Sequence, residues 1–352
     1  MARSRLLIIS IVMAILCACS SPRSAAHHLA FLWEYHTGDY VRGSAAAWGS
    51  LIYVGSDDHA LHAVDAETGK GVWQYATGDI VASSPVIVGE NVCFGSWDGD
   101  IYALALDTGE LRWRYHTDGW ISAALVVGDG VIYVGSHDHA LYALSAADGS
   151  LLWRFQTAGP IVAGAALDAD SVYVGSMDHY LYAIDRHEGR IRWRFRTRGD
   201  LLGAPAVSGG AVYLGSADRQ LYAVNAQNGE IRWTRDAGAA VESSPTVADG
   251  TLYVGTDGGR LLALSAKDGR ERWHFQAKAI IRSGPVVWQD LVLVGSDDHH
   301  LYALDRHTGA LVWTYITAGP IVATPTVSAD RLYFGSTDRC LHAVALARNQ
   351  EE

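Results

Sequence analysis

The stretch VYVGSMDHYLYAIDRHEGRIRWRF, residues 172–195, is repeated with small changes along most of this 352-residue chain. It contains two short runs in which large and small residues alternate, a turn rich in Asp, His and Gly, and a third run around a tryptophan. Alternation with a period of two, in segments rich in Val, Ile and Tyr, is typical of β-strands and not of helices. The stretch therefore predicts three consecutive strands of a β-sheet.

A tryptophan and a Gly followed by Ser or Thr each recur eight times at a spacing of 40 residues, without an insertion. Repeats of this length indicate a solenoid or a propeller. A four-stranded unit cannot bury both of its faces alone, and radial stacking leaves only short edges exposed. We therefore predict an all-β fold, an eight-bladed β-propeller whose second blade has strands over residues 81–88, 91–96, 101–106 and 111–117. The recurring tryptophans are Trp33, Trp73, Trp113, Trp153, Trp193, Trp233, Trp273 and Trp313.

The repeat begins and ends with incomplete copies. FLWEYHT, residues 31–37, resembles a last strand without its blade, and RLYFGSTDRCLHAVAL, residues 331–346, is a blade without its last strand. We predict that the N-terminal strand around Trp33 completes the last blade and closes the ring. The predicted propeller spans residues 31–346, followed by a polar tail over residues 347–352.

The N-terminus has the pattern of an export signal. Two arginines precede the apolar run LLIISIVMAIL, residues 6–16, which is too short to span a bilayer. The following LCAC resembles a bacterial lipobox, with the small Ala18 before the cut and Cys19 as the lipidated residue, although Cys17 departs from the usual small residue. This predicts a signal peptide over residues 1–18 and a polar tether over 19–30. The alternative is a plain secreted protein whose two cysteines are incidental.

The motif AVDAETGKGVW, residues 63–73, resembles the tryptophan-docking motif of the propellers named for the redox cofactor pyrroloquinoline quinone (PQQ). A small Ala and a Gly able to take positive φ leave a flat slot in which the indole of a neighbouring blade lies. Seven copies keep both residues. The resemblance covers residues 31–346 and implies the fold, with the eight recurring tryptophans as structural docking residues. It does not imply a chemistry.

Enzymes with this repeat resemble longer chains whose loops hold a calcium ion, an Asp base and a pair of adjacent cysteines against PQQ. This sequence lacks those insertions and has no adjacent cysteine pair. Cys93 replaces a strand tyrosine and is predicted to be a buried core thiol, while Cys340 occupies a variable position two blades away, too far for a disulfide. We predict no catalytic residue and no cofactor, with a PQQ-dependent dehydrogenase as the remaining enzymatic alternative.

Asp-His pairs in the hairpin turns suggest a metal site at first sight. His59, His139, His179 and His299 each follow an aspartate, but glycine occupies the same position in two other blades. Alternation of His with Gly is typical of a left-handed residue closing a three-residue hairpin. Equivalent turns in different blades lie too far apart to share an ion, so we predict no metal site.

Function is expected where the repeat varies, at the hairpin tips and at the loops entering each blade. Trp97 and Trp120 are not docking tryptophans and should lie near His137, where they suit a contact with a protein or a sugar. The alternative is that one or both fold over the loop and only pack. Arg42, Glu242 and Arg282 lie at the channel mouth, where we predict an ion pair between Glu242 and Arg282. The candidate binding residues are Tyr40, Asp57, Trp97, Trp120, His137 and Met177.

The formal net charge of −11 argues against a nucleic-acid partner. Anchor, blade count and repeat type resemble the BamB family, the propeller lipoproteins of the outer-membrane β-barrel assembly machinery. The resemblance implies a monomeric scaffold that binds a protein partner, contacts the membrane through its lipid only, and faces the periplasm from the outer membrane where the organism has two membranes. A ligand-binding, glycan-binding or sensory module is the second hypothesis.

Overall fold

The computed structural model describes residues 27–348, and every regular element in that range is a β-strand. The strands are β1 (His27–His36), β2 (Ala46–Trp48), β3 (Leu51–Ser56), β4 (Ala60–Asp65), β5 (Gly71–Ala76), β6 (Val86–Val88), β7 (Asn91–Gly95), β8 (Asp100–Ala105), β9 (Leu111–His116), β10 (Val126–Gly128), β11 (Val131–Gly135), β12 (Ala140–Ser145), β13 (Leu151–Gln156), β14 (Ala166–Leu167), β15 (Ser171–Gly175), β16 (Tyr180–Asp185), β17 (Ile191–Arg196), β18 (Ala206–Ser208), β19 (Ala211–Gly215), β20 (Gln220–Asn225), β21 (Ile231–Asp236), β22 (Thr246–Ala248), β23 (Thr251–Gly255), β24 (Arg260–Ser265), β25 (Glu271–Gln276), β26 (Val286–Trp288), β27 (Leu291–Gly295), β28 (His300–Asp305), β29 (Leu311–Ile316), β30 (Thr326–Ser328), β31 (Arg331–Gly335) and β32 (Cys340–Arg348).

These strands form eight four-stranded antiparallel sheets. Blades 1 to 7 each contain four consecutive strands, from β2–β5 in blade 1 to β26–β29 in blade 7. Blade 8 has the order β1-β32-β31-β30, so the N-terminal strand is the outer strand of the last sheet. The predicted eight-bladed propeller, closed by the N-terminal strand, is confirmed.

The closing pair of strands is longer than predicted. β1 pairs with β32 from His27 opposite Arg348 to His36 opposite Cys340. Pairing therefore continues into residues that we assigned to the tether and to the polar tail, because the two chain ends supply each other with backbone hydrogen-bond partners. A bulge between Phe31 and Trp33 reproduces the bulge found in each of the other blades. The signal peptide and Cys19 lie outside the described residues.

The innermost strand of blade 2 is shorter than predicted. In blade 2 it is Val86–Val88, whereas the prediction ran over residues 81–88. Residues 81–85 are irregular, and Pro85, which has no backbone N–H to donate, stands directly before the strand. This irregular segment contributes Ala82 and Ser84 to the lining of the central channel.

The hydrophobic core is divided into eight clusters, each shared by two adjacent blades. The cluster that joins blade 8 to blade 1 contains Trp33 from β1, Ile52 from β3 and Leu341 from β32. Since no blade has a core of its own, blades are stable only as neighbours in the ring.

The docking tryptophans lie on the turn of the following blade. A Cβ atom on Gly69 would come within 2.6 Å of the Trp33 ring, and this glycine has a φ of +69°, so only glycine suits the slot. The Trp33 indole N–H also donates to the backbone oxygen of Ala66 at 3.1 Å. The same two contacts recur for Trp73, Trp113, Trp153, Trp193, Trp233 and Trp273.

Trp313 is the exception. Its ring packs into the core between blades 7 and 8, but its buried indole N–H has no acceptor within residues 27–348. In blade 8 the strand β32 continues to Arg348, where blades 1 to 7 make the turn that supplies the glycine and the acceptor. Ring closure by strand exchange therefore leaves one docking slot incomplete.

The hairpin histidines are turn residues, as predicted. His59, His139, His179 and His299 have φ between 68° and 72°. The aspartates before them are also structural: Asp298, before His299, accepts a hydrogen bond from the Lys278 backbone N–H at 2.8 Å and another from the Tyr302 hydroxyl at 2.7 Å. The same aspartate position makes equivalent bonds in most other blades.

Cys93 and Cys340 are both buried and form no disulfide. This confirms the prediction that Cys93 is a core thiol. Among residues 27–348 there is no helix long and apolar enough to cross a membrane.

Candidate functional site

The hairpin tips and the loops that enter the blades lie together on one face of the ring, here called the front face. The backbone N–H of Asp57 donates to the oxygen of Tyr40 at 2.8 Å, and equivalent bonds join tip and loop around the ring. The turns after the first and third strands lie on the opposite, back face, where the Ala66 N–H donates to the Ser50 oxygen at 2.8 Å. The side chains of the hairpin tips and of the blade-entering loops are therefore presented on one surface.

Three aromatic side chains meet on the front face between blades 2 and 3, and we call them the aromatic patch: Trp97, Trp120 and His137. The two indoles stack with ring centroids 5.0 Å apart and an interplanar angle of 7°. His137 lies 5.6 Å from Trp120. Trp120 is 51% exposed, while Trp97 is half-buried. The predicted proximity of the three residues is confirmed, and Trp120 forms the exposed plate of the stack.

The aromatic patch is uncharged at neutral pH. Burial, and secondarily the nearby His139, lower the pKa of His137, whose Nε2 lies 2.9 Å from the Ser122 hydroxyl. The indole N–H of Trp97 is buried and has no acceptor among the described residues. The patch thus offers a flat apolar surface.

A cavity of ≈ 320 Å³ borders this surface, with Trp97 and Trp120 in its wall. Its other lining includes His116 and Asp118. The His116 Nδ1 lies 2.7 Å from a carboxylate oxygen of Asp100, which orients the imidazole. An apolar plate beside polar groups of this kind suits an amphipathic side chain or a sugar ring.

Blades 1, 6 and 7 carry ionised groups on the front face around the channel mouth, which we call the charged cluster: Arg42, Asp57, Glu242, Asp257, Arg282 and Asp297. The Arg42 Nε donates to Asp57 at 2.6 Å. Arg282 donates to Asp297 and lies 3.4 Å from Glu242, so the predicted Glu242–Arg282 pair is confirmed and is joined by a second acceptor. Arg42, Glu242 and Arg282 line a cavity of ≈ 250 Å³ at the mouth of the central channel.

Asp257 has the most perturbed carboxyl group of the charged cluster. Burial, and secondarily the carboxylate of Glu242, raise its pKa to about 6, against the opposing effect of Arg282. Burial also raises the pKa of Asp57, against the opposing effect of Arg42. The cluster therefore holds carboxyl groups whose charge depends on the neighbouring guanidinium groups.

The other candidate residues are less available for binding. Asp57 is only 7% exposed and can act on a partner mainly through Arg42. Tyr40 is 38% exposed, and the guanidinium of Arg42 lies 5.3 Å from its ring centroid. Met177 is half-buried in the tip of blade 4.

The sequence did not lead us to expect that a hairpin-tip side chain bonds to a channel-mouth side chain of the same blade. Arg42 pairs with Asp57, Ser122 with His137, and Arg282 with Asp297, always fifteen residues apart in one blade. Reading these two positions together would have found the pairs in blades 1, 3 and 7, whereas in blade 6 the same positions hold two carboxyl groups, Glu242 and Asp257.

Fold and repeat define the chain as an eight-bladed propeller of PQQ-like repeats. It belongs to the family described as outer membrane protein assembly factor BamB, whose model matches residues 30–119, 85–163, 157–279 and 273–350. No curated protein sequence matches the chain.

Solved structures with the same fold include BamB, a designed protein and dehydrogenases. BamB from Moraxella catarrhalis is 20% identical with a TM-score of 0.79, covering 90% of this chain and 100% of that one. The designed protein Ika8 is 16% identical with a TM-score of 0.81, covering 90% and 99%. Quinohemoprotein alcohol dehydrogenase from Comamonas testosteroni is 16% identical with a TM-score of 0.78, covering 92% and 78%. At these identities the likeness establishes the fold alone.

The residues at the channel mouth do not fit PQQ. The cofactor is a planar tricarboxylate, so its site needs an excess of cationic or N–H donor groups. The charged cluster has four carboxyl groups against two guanidinium groups, and Arg42 and Arg282 are already bonded to aspartates. An anion of this charge would face net repulsion at the mouth.

Proposed function

We propose that the chain is a lipid-anchored, extracytoplasmic scaffold that binds a protein partner in outer-membrane protein assembly and catalyses no reaction. Membership of the BamB family and the BamB fold support the assembly role. The export signal and Cys19 support the anchor and, where the organism has two membranes, a periplasmic location. β1 begins at His27 on the back face of the ring, opposite the front face.

The observation that carries the proposal is the Trp97–Trp120 stack on the front face, in which Trp120 is 51% exposed and lies on the half-buried Trp97. Tryptophans are enriched among the residues that dominate binding energy. Because the ring holds both indoles in place, little conformational entropy is lost when a partner binds. The aromatic patch is therefore the proposed contact surface.

Capture of the barrel-assembly machinery from detergent-solubilised membranes tests this surface. Trp120→Ala should weaken capture by roughly thirtyfold, which corresponds to about 2 kcal/mol for an interface tryptophan. Trp48→Ala is the matched control, because Trp48 is 56% exposed but lies beside the back-face turns. Equal capture by both variants would place the contact elsewhere. Absence of the machinery from the wild-type eluate, together with a bound glycan, would favour the ligand-binding hypothesis.

The anchor is tested by membrane fractionation. Cys19→Ala should release a folded protein into the soluble fraction, whereas Cys17→Ala should remain membrane-bound. A Cys19→Ala protein that stays with the membranes would contradict lipidation at this residue.

The non-enzymatic proposal is tested by adding PQQ, calcium, an electron-accepting dye and a panel of alcohols and sugars. Saturable dye reduction that requires both PQQ and calcium would overturn it.

A further inference from the structure

The pair of strands that closes the ring brings together a thiol, an imidazole and a carboxylate. His36 in β1 lies directly opposite Cys340 in β32. The Cys340 Sγ is 3.1 Å from the His36 Nδ1, and the Glu34 carboxylate is 3.3 Å from the other ring nitrogen. One ligand atom from each of the three residues lies within 4.8 Å of the others. We call Glu34, His36 and Cys340 the seam site.

Packing does not require these residue types. In blade 1 the equivalent cross-strand pair is Ala60 opposite Ala76, and in blade 2 it is Asp100 opposite His116. The remaining blades place other combinations there, and none of the described blades except blade 8 contains a cysteine at either position. The thiol and imidazole are therefore not explained by the repeat.

Two further polar residues near Cys340 already have structural partners. The His342 Nε2 lies 3.1 Å from the Asp338 carboxylate, and His62 and Asp58 form the same pair at 3.1 Å in blade 1. Because this contact belongs to the repeat, Asp338 and His342 are not assigned as ligands.

The Cys340 thiol is buried, while its neighbours Glu34 and His36 are exposed, so an ion from solvent would meet these two side chains first. Cys340 is 4% exposed, whereas Glu34 and His36 are both exposed. Burial, followed by the charges of Asp338 and Glu34, raises the pKa of the thiol to about 12. In the metal-free protein Cys340 is therefore a neutral thiol and a poor nucleophile.

We propose that Glu34, His36 and Cys340 bind a divalent cation of the zinc type that fastens the N-terminal strand to the C-terminal strand. Thiolate, imidazole and carboxylate are all zinc ligands, and a water molecule supplies a fourth position. The exposed Glu34 carboxylate has to turn from the Nε2 of His36 towards the Nδ1 side to join Cys340 on the same ion. A thiolate sulfur and an imidazole nitrogen on one tetrahedral ion lie about 3.5 Å apart, so Sγ and Nδ1 need to separate by only a few tenths of an ångström. The thiol proton is released to solvent when the ion binds.

Such an ion would stabilise the closed ring. Residues 36 and 340 are at opposite ends of the chain, so the unfolded chain holds no preformed site. A ligand that binds the folded state alone raises the melting temperature with its concentration. The seam site would thus reinforce the one place where two chain ends, and not a continuous turn, hold the ring together.

The full-length protein, purified in detergent and stripped with EDTA, allows a direct test with Zn²⁺. Calorimetric titration should give one site, and saturating Zn²⁺ should raise the melting temperature by a few °C. Co²⁺ should give a near-ultraviolet thiolate-to-metal charge-transfer band. Cys340→Ala and His36→Ala should each abolish the Zn²⁺-dependent rise, and both are expected to fold because alanine occupies the equivalent positions 60 and 76 in blade 1.

Two matched variants control for adventitious binding. Cys93→Ala removes the other described thiol, and His116→Ala removes the equivalent imidazole of blade 2; both should keep the rise and the Co²⁺ band. The absence of a Zn²⁺-dependent rise in the wild type would overturn the proposal. So would a rise that persists in Cys340→Ala, or one lost in Cys340→Ala but kept in His36→Ala, since the ligand set would then be wrong.

Discussion

The blade interfaces and the front face are built on the same repeat, yet their side chains behave in opposite ways from blade to blade. At the interfaces an indole donates to a carbonyl of the next blade at 3.1 Å for Trp33 and 3.0 Å for Trp273, almost without variation. On the front face the equivalent tip position holds Asp57, Trp97 or His137. The difference shows that seven of the eight interfaces keep the same docking contact, because each interface has to bury the same blade surfaces, whereas a tip side chain can change without disturbing its neighbours.

Removal of the closing strand β1 should destabilise the blade interfaces more than any other change. Deleting residues 31–37 removes most of β1 together with Trp33, which exposes the edge of β32 and empties the slot on blade 1. We expect aggregation, or a much lower melting temperature in differential scanning calorimetry. An unchanged melting temperature would mean that β1 does not hold the ring closed.

Replacing single docking tryptophans by alanine should distinguish the seven complete docking slots from the incomplete one. Trp113→Ala should reduce the free energy of unfolding by about 3–5 kcal/mol, because a large buried ring is lost. Trp313→Ala should cost about 1 kcal/mol less, since the indole N–H of Trp313 has no acceptor to lose. Urea unfolding of both variants measures the difference. Equal losses would show that the indole hydrogen bond adds nothing to docking.

The tryptophan docking contacts between blades were predictable from the sequence. The contacts on the front face were predictable only in part. Trp33, Gly69 and their copies recur at fixed spacing, so period and residue type alone indicate blade count and closure. The Arg42–Asp57 bond and the seam site depend on which side chains meet across strands. That information lies in the strand pairing and in side-chain conformations, which a repeat pattern does not contain. The incomplete slot of Trp313 follows from the length of β32, which the predicted boundary at residue 346 left too short.

In the charged cluster, removing Arg42 alone should destabilise the protein more than removing the charges of both Arg42 and Asp57. Arg42→Ala leaves Asp57, whose side chain is 5% exposed, as a buried carboxylate without its cation. We expect a loss of about 1–3 kcal/mol in the free energy of unfolding at neutral pH. The double variant Arg42→Ala, Asp57→Asn should recover much of this loss because no buried charge remains. If the double variant is as unstable as Arg42→Ala, the cost comes from lost packing of the arginine and not from the unpaired charge.

Asp257, in the charged cluster, should make the free energy of unfolding depend on pH. This is the smallest of the stability changes expected from these variants. Its folded-state pKa is raised from 3.8 to about 6, so the stabilising contribution of its proton is complete below pH 4 and is lost as pH rises through 6. Asp257→Asn should therefore match the wild type near pH 4 and exceed it by about 1 kcal/mol at pH 7.5, after allowance for partial exposure.

The control for this pH dependence is a carboxyl with the opposite shift. The backbone N–H of Glu188, together with Arg192, lowers the pKa of Asp185 to about 2. Its contribution to stability is therefore present above pH 4 and lost only as pH falls towards 2. In urea unfolding at several pH values, Asp185→Asn should differ from the wild type by a constant amount between pH 4 and pH 7.5, while the Asp257→Asn difference grows across the same window. A constant difference for Asp257→Asn would mean that the Asp257 carboxyl is ionised across this whole pH window and that its burial in the charged cluster does not raise its pKa.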